Sequence, residues 1–313
     1  MLKKLCLLMI FIFLLTLGCA KTSTNDITFL RIVTGPTSGT YYPLGGALSD
    51  ILNKNGKKLN VSVQSSTASV ANVNHLRDGN ADIAFVQNDI AYYAYHGIEM
   101  FKDNKVDNIR GLVTLYPEAV QIVTSKHSGI LSLSDLKGKR VAVGAIGSGT
   151  VANATQVLNE VGMSFSDIIP CYLSINEASS ALRDGNIDAA FMVSGFPIIA
   201  LQQMVNYDLK FISLDDDFIN KMTKKYPFYT KIVIPAGTYK DVDYDINAIS
   251  VKSMLVVNKS ISDDVAFDIV SLLYKHIDRM RMAHRIASYI KKDTAIDGMS
   301  IPIHNGVKKY FKL

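Results

Sequence analysis

The sequence predicts an α/β protein assembled from two copies of one βαβαβ unit. Three observations predict it. LRDGNADIAF at 76–85 returns as LRDGNIDAAF at 182–191, with eight of ten residues identical at an offset of 106. The triplet SGT stands at 38–40 and again at 148–150, an offset of 110. Around these markers, short β-branched runs alternate with helical periodicities in the same order twice. Such alternation argues for a parallel sheet with helices on both faces.

In the first copy, FLRIVTG (29–35) reads as a strand ending in glycine. Leu44, Ala47, Leu48, Ile51 and Leu52 then fall at i, i+3, i+4, i+7 and i+8, one face of a helix. LNVSVQSST (59–67) alternates as a strand, SVANVNHLRDGN (69–80) is a short helix stopped at Gly79, and ADIAFVQND (81–89) is a buried strand. The second copy runs the same way. KRVAVGA (139–145) is a strand, Val151, Ala154, Val157, Leu158 and Val161 mark a helix, and IIPCYLSI (168–175) is a strand. NEASSALRDGN (176–186) is a helix stopped at Gly185, and IDAAFMVSG (187–195) is the last strand. Gly79 and Gly185 suit the left-handed position that ends a helix. Asp82 and Asp188 open the strands that follow. LRDGN is thus a structural turn at the far edge of each sheet, and the functional edge lies at the opposite strand ends. These are Val86, Gln87, Asn88 and Asp89 in one copy, and Val193, Ser194, Gly195, Phe196 and Pro197 in the other.

Right-handed crossovers bring both helix starts of a copy to that edge, where open α/β sheets bind ligands. Each SGT loop opens a helix whose first amides have no intrahelical acceptor, and the helix dipole adds positive potential. Ser38, Gly39, Thr40 and Tyr41 in one copy, and Gly147, Ser148, Gly149 and Thr150 in the other, form a candidate anion receptor that needs no arginine. The alternative is that these hydroxyls only cap their helices. The polar stretch carrying Thr67, Ser69 and Asn72 lies at the same edge. TLYPEAVQIVTS (114–125) reads as a strand crossing between the copies, with Tyr116 and Glu118 where a cleft begins, and AISVKSMLVVN (248–258) as the return crossing. A carboxylate at Glu118 is placed to meet a ligand ammonium, or is a surface acid on a connector.

The first eighteen residues read as a signal peptide: Lys3 and Lys4, then an apolar run from Leu5 to Leu17. Gly18-Cys19 resembles a lipobox, with Cys19 as the lipidated residue. A plain secretory signal and a retained helical anchor are the alternatives. Residues 19–26 would form a tether. Cleavage leaves 295 residues and takes the formal charge from +5 to +3, too mild to argue for nucleic acid. Only Cys171 is then left as a free thiol, so neither a disulfide framework nor a cysteine metal site can be built. No metal and no cofactor are expected.

GPTSGTYYPLGGAL, STASVANV, GNADIAFVQND, LYPEAVQIV, GAIGSGTVANA and the tail IPIHNGVKKYFK together resemble the TRAP-associated extracytoplasmic immunogenic (TAXI) family. These proteins are solute receptors of TRAP transporters. Asn305 and Val307 depart from the family's tail. The resemblance implies a two-lobed, type II periplasmic-binding-protein-like fold. Lobe 1 would be 27–120 plus 250–313, lobe 2 would be 121–249, and hinge strands would join them. It implies a monomer that binds an amino acid or small carboxylate, glutamate-like, at the interlobe cleft, with TRAP membrane subunits as partners. It places the chain outside the cytoplasm, where the lipobox would hold it to a bacterial membrane by lipid.

Three other readings are open to the sequence. An ABC-type importer or a sensor would use the same lobes. An enzyme of dehydratase or lyase type would have Asp89 and Glu118 as its acid and base, but no catalytic constellation is identified. Gly147 to Ala152 fits the GxGxxA dinucleotide pattern, with Glu177 downstream, but the matching first loop lacks that spacing.

Overall fold

The computed structural model describes residues 27–204 and 207–313. The signal segment, Cys19 and the tether lie outside the described residues. One ten-stranded sheet organises the molecule. In chain order its elements are β1 (Thr28–Val33), α1 (Tyr41–Asn55), β2 (Leu59–Gln64), α2 (Ser69–Arg77), β3 (Ile83–Gln87), α3 (Asn88–His96) and β4 (Ile109–Ser125). Then come β5 (Arg140–Ala142), α4 (Gly149–Glu160), β6 (Ile169–Cys171), α5 (Ile175–Arg183) and β7 (Ala189–Ser194). The chain closes with α6 (Ile199–Gln202), β8 (Leu209–Phe211), α7 (Asp216–Lys225), β9 (Thr230–Ile234), β10 (Ile246–Asn258), α8 (Asp263–Lys275), α9 (Ile277–Ala283) and α10 (Asn305–Phe311).

The strand order is β2-β1-β3-β10-β4-β7-β5-β6. Its two ends are the two copies read from the sequence. β2-β1-β3 pair in parallel, and β6-β5-β7 repeat that arrangement. Between them run the two long crossing strands, antiparallel to each other and to their neighbours. The sheet is therefore mixed rather than purely parallel. β4 begins at Ile109, five residues before the stretch read as a crossing strand. Pro117 lies inside β4, where a missing N–H normally excludes proline. It is tolerated because the β4–β10 register slips beside it, between the Lys252 and Met254 partners. β8 and β9 pair on the sides of β4 and β10 and were not marked by any repeat.

The predicted helix face on α1 is buried as a unit: Leu44, Ala47, Leu48, Ile51 and Leu52 all lie in the core. Gly79 and Gly185 sit at φ +69° and +71°, as their role as helix stops requires. The strand-opening aspartates work identically in both copies. Asp82 accepts from the backbone N–H and guanidinium of Arg31, which also donates to Gly79 O. Asp188 does the same with Arg140, which donates to Gly185 O. The repeated peptide thus ties each helix stop to the start of its sheet, at the edge away from the functional loops.

Candidate functional site

The starts of α1 and α4 come from different copies, yet both border one cavity of about 40 Å³. Gly39, Thr40, Tyr41, Ser69, Gln87, Glu118, Gly149, Thr150 and Ser194 line it, all of them anticipated. Val193, placed at the functional edge though not among the ligand candidates, completes the wall with Gly35, Pro36, Ala68 and Ile175, which were not anticipated. No lysine or arginine is among the lining residues.

Neither SGT loop uses its hydroxyls as caps. Thr40 and Ser148 precede their helices without a side-chain capping bond. Thr40 Oγ1 instead lies 2.9 Å from Ser194 Oγ and 3.3 Å from Gly195 O, across the seam between the copies. Gly147 O accepts from the Ala71 N–H at 3.0 Å, a second crossing. Gly147 takes φ +88°, which turns the loop toward the opposite copy.

The other anticipated residues are distributed around the cavity. Thr67 and Ser148 line an adjoining space beside Pro36 and Thr150. Gly147 and Ser148 border a larger outer cavity. Pro197 belongs to a separate depression with Phe196 and Arg285. The Ser38 hydroxyl is buried without a partner. Asn72 is structural: its amide donates to Thr34 O and Phe85 O and ties α2 to the sheet. Tyr116 is fully buried behind the cavity, beside Glu118.

Two carboxyl groups are buried at the seam. Glu118 is only 2% exposed, and its Oε1 has no hydrogen-bond partner. Burial pushes its pKa up to about 8. The Tyr41 hydroxyl beside it lowers it, the Asp89 charge raises it further, and Ser253 and Gln87 lower it. Asp89 lies behind the cavity wall, in the first turn of α3. Burial raises it to about 6, against the pull of the Ile90 N–H and the Asn153 amide. Tyr41, buried beside Glu118, has its hydroxyl pushed well above the usual tyrosine value by burial first and by the Glu118 charge second.

A polar network that the sequence reading missed crosses the seam behind the cavity. Asn153 on α4 donates to Asp89 Oδ2 at 2.9 Å and to the Tyr229 hydroxyl at 2.8 Å, and accepts from Gln87 Nε2 at 3.1 Å. Tyr229 in turn donates to Gln156 Oε1, and Gln156 Nε2 donates to the Tyr93 hydroxyl. The signal in the sequence was Asn153 and Gln156, three apart, interrupting the apolar side of α4. Their partners lie in distant segments, so only docking of the copies reveals them. Among the described residues no cluster of histidine, cysteine, aspartate and glutamate could hold a metal, and no helix is long and apolar enough to cross a membrane.

Comparison with known proteins places this geometry. The model of the NMT1-like family matches residues 32–312. A putative aliphatic sulfonates-binding protein of Escherichia coli (strain K12) is 37% identical over 73 residues, which is 23% of this chain and 23% of that protein. Among solved structures, the periplasmic aliphatic sulphonate binding protein SsuA from Escherichia coli superposes with a TM-score of 0.53 at 16% identity, over 92% of this chain and 84% of its own. The alkanesulfonate-binding protein SsuA from Xanthomonas axonopodis pv. citri, bound to MOPS, gives 0.53 at 14%, over 86% of each chain. A putative L-cystine ABC transporter protein from Listeria monocytogenes gives 0.53 at 15%, over 86% and 98%. The fold is the two-lobed, type II periplasmic-binding-protein-like α/β fold that the sequence predicted.

The same findings correct the expected family and transporter. The chain does not stand as a TAXI receptor of a TRAP transporter binding a glutamate-like dicarboxylate. The matching family is the NMT1-like one, and the similar proteins are sulfonate-binding and ABC-type. The cause lies in what the quoted blocks encode. Apart from the tail, they build the helix starts, strand ends and crossing strands common to two-lobed receptors.

Proposed function

Because the chain belongs to the NMT1-like family, we propose that it is an extracytoplasmic solute-binding protein that captures a small organic anion between two lobes and delivers it to an ABC-type importer. One observation carries this reading: the helix starts at Gly39–Tyr41 and Gly149–Thr150, from opposite copies, border a single cavity. Their first-turn amides offer donors to an anionic head, carboxylate or sulfonate, without a charged side chain. The sulfonate-binding character of the Escherichia coli and Xanthomonas proteins agrees with such a head.

The lobes are residues 27–120 with 250–313, and 121–249, with β4 and β10 as the hinge. A ligand that touches both lobes only when they are closed shifts an open–closed equilibrium by its differential affinity. Moving it from mostly open to mostly closed takes about 5 kcal/mol. A few charge-assisted hydrogen bonds at about 1.5–3 kcal/mol each supply that. No covalent chemistry is required, and the protein is not an enzyme. Lipidated Cys19 holds it at the membrane, so Cys19→Ala releases it into the soluble fraction.

Native mass spectrometry of the purified protein tests the reading, together with small-angle scattering on ligand addition. The expected result is one small solute per chain and a smaller radius of gyration when it is bound. ATP hydrolysis by the cognate importer in liposomes should rise with the loaded protein. A chain that carries no solute, binds none from a sulfonate and amino acid panel and never changes shape refutes it.

A further inference from the structure

The hydrogen bonds behind the cavity fix the orientation of one amide in its wall. Tyr229 donates to Gln156 Oε1 at 2.6 Å, so its oxygen accepts from Asn153 Nδ2. The same nitrogen donates to the Asp89 carboxylate. Both constraints turn Asn153 Oδ1 toward Gln87, which must answer with its Nε2. Gln87 Oε1 is left as an unpartnered acceptor on a side chain 2% exposed, against Gly149 in the cavity wall. Glu118 Oε1 is the second unpartnered acceptor of the same cavity.

Two buried oxygens without partners, one of them on a carboxyl beside the equally unpartnered Tyr116 and Ser253 hydroxyls, belong to side chains that line a space containing no lysine or arginine. Buried acceptors without partners are costly, and a ligand that donates to both removes the cost. Resting on the reading of the cavity as the ligand site, we propose that Gln87 and Glu118 form a subsite for a primary ammonium group. Asn153 is its positioning residue, reaching across the seam from the opposite lobe. The receptor therefore takes zwitterions, with the anionic head on the helix-start amides and the ammonium on these two acceptors. Because Asn153 belongs to lobe 2 and Gln87 to lobe 1, the ammonium subsite is complete only in the closed form. The amino group is then read at the moment of closure.

The titration of the site agrees with this assignment. In the closed geometry burial pushes Glu118 up to about 8. An ammonium beside it favours the carboxylate, so the loaded site holds no proton there.

Matched pairs test the proposal by calorimetry: taurine against ethanesulfonate, L-alanine against propionate, and 4-aminobutyrate against butyrate. In any pair that binds, the amino member should bind at least about tenfold tighter, the minimum expected of one charge-assisted bond. Glu118→Gln should reduce that ratio by about tenfold or more. Asn153→Leu should also reduce it, beyond the equal weakening of both members that the loss of its cross-seam bonds causes. A purely structural role for Asn153 would weaken both members alike. If either variant fails to fold, the unmodified protein decides. Titration at pH 7 in buffers of different ionisation enthalpy should report no proton uptake on binding, and uptake of one proton per ligand, which would mean a neutral Glu118 in the complex, overturns the proposal. Equal affinity within the pairs overturns it too, while leaving solute capture intact. Should no pair bind, the formula of the co-purified solute decides: a basic nitrogen supports the subsite, and its lack refutes it. Absence of any solute, with no binding in the panel, strikes the underlying reading instead.

Discussion

The hydroxyls of Thr40 and Ser194 lie 2.9 Å apart although 154 residues separate them in the chain. Thr40 stands at the start of α1 in the first copy, and Ser194 ends β7 in the second. Their contact joins a helix start of one lobe to a strand end of the other, at the wall of the cavity. Duplication explains how this comes about. Both copies present the same edge, so turning them face to face brings helix starts and strand ends of each against those of the other. A ligand between them touches both.

Thr40→Val tests that contact. In the closed form it strands a buried Ser194 hydroxyl, at a cost of about 1–2 kcal/mol, whereas in the open form water satisfies both groups. The expected result is ligand affinity lower by about 5- to 30-fold in calorimetry, with little change in the melting temperature of ligand-free protein. Undiminished affinity would remove the contact from the closure mechanism.

The two buried carboxyls set a pH dependence of opposite sign to ordinary acid denaturation. Glu118 rises from 4.5 to about 8 on folding, and Asp89 from 3.8 to about 6. Between those limits the folded chain binds more protons than the unfolded one, so their contribution to stability falls as pH rises. Protein held closed by a crosslink across the seam should therefore melt at a lower temperature at pH 8 than at pH 5.5. Glu118→Gln should flatten the upper half of that slope, between about pH 6.5 and 8. A parallel slope in wild type and variant would show that Glu118 carries no such shift.

The repeated halves were legible because each is a local pattern: a strand, a glycine turn, a helix with one apolar face. The crossing strands were legible from β-branched content, although the start of β4 was hidden by Gly111. The cavity edge followed from handedness, and nine of its lining residues were named in advance as ligand candidates. Asn153, Tyr229 and Gln156 were not, because a buried polar side chain carries no local signature of its partner. The transporter class was misread for a related reason. The motifs that build a solute cleft say little about the surface that docks on a membrane complex.

Asp188 and Asp82 offer a control, since they hold the sheet far from the cavity. Asp188 accepts from the Arg140 backbone and guanidinium, and hydrogen bonding to that arginine keeps its carboxyl below the usual range. Asp188→Ala should cost about 1–3 kcal/mol of stability through the lost bonds, with ligand affinity unchanged. Because this carboxyl is lowered on folding, its contribution is present above its unfolded pKa and fades as pH falls below about 4. Denaturant melts of Asp188→Ala should therefore converge with wild type at low pH. Lost binding with an intact melting curve would reassign the repeat to the functional edge.

Gly149 is the position where the smallest change should do the most. It opens α4 at the cavity wall, and a Cβ built there would collide with Gln87 Oε1 and lie 3.1 Å from Ile90 Cγ1. One of the two lobes must yield. Gln87 cannot swing aside without releasing Asn153, and Asn153 cannot move without leaving Asp89 with one hydrogen bond fewer in a buried site. The least costly response is for the lobes to stay apart, where the added methyl faces water. Gly149→Ala should therefore fold with a near-normal melting temperature, since alanine favours the helix at this position over glycine. It should remain open in small-angle scattering at ligand concentrations that close the wild type, and bind at least about a hundredfold more weakly if closure is blocked by some 3 kcal/mol. Tight binding with full compaction would mean that the seam has slack, and that Gly149 is not what lets the two copies approach.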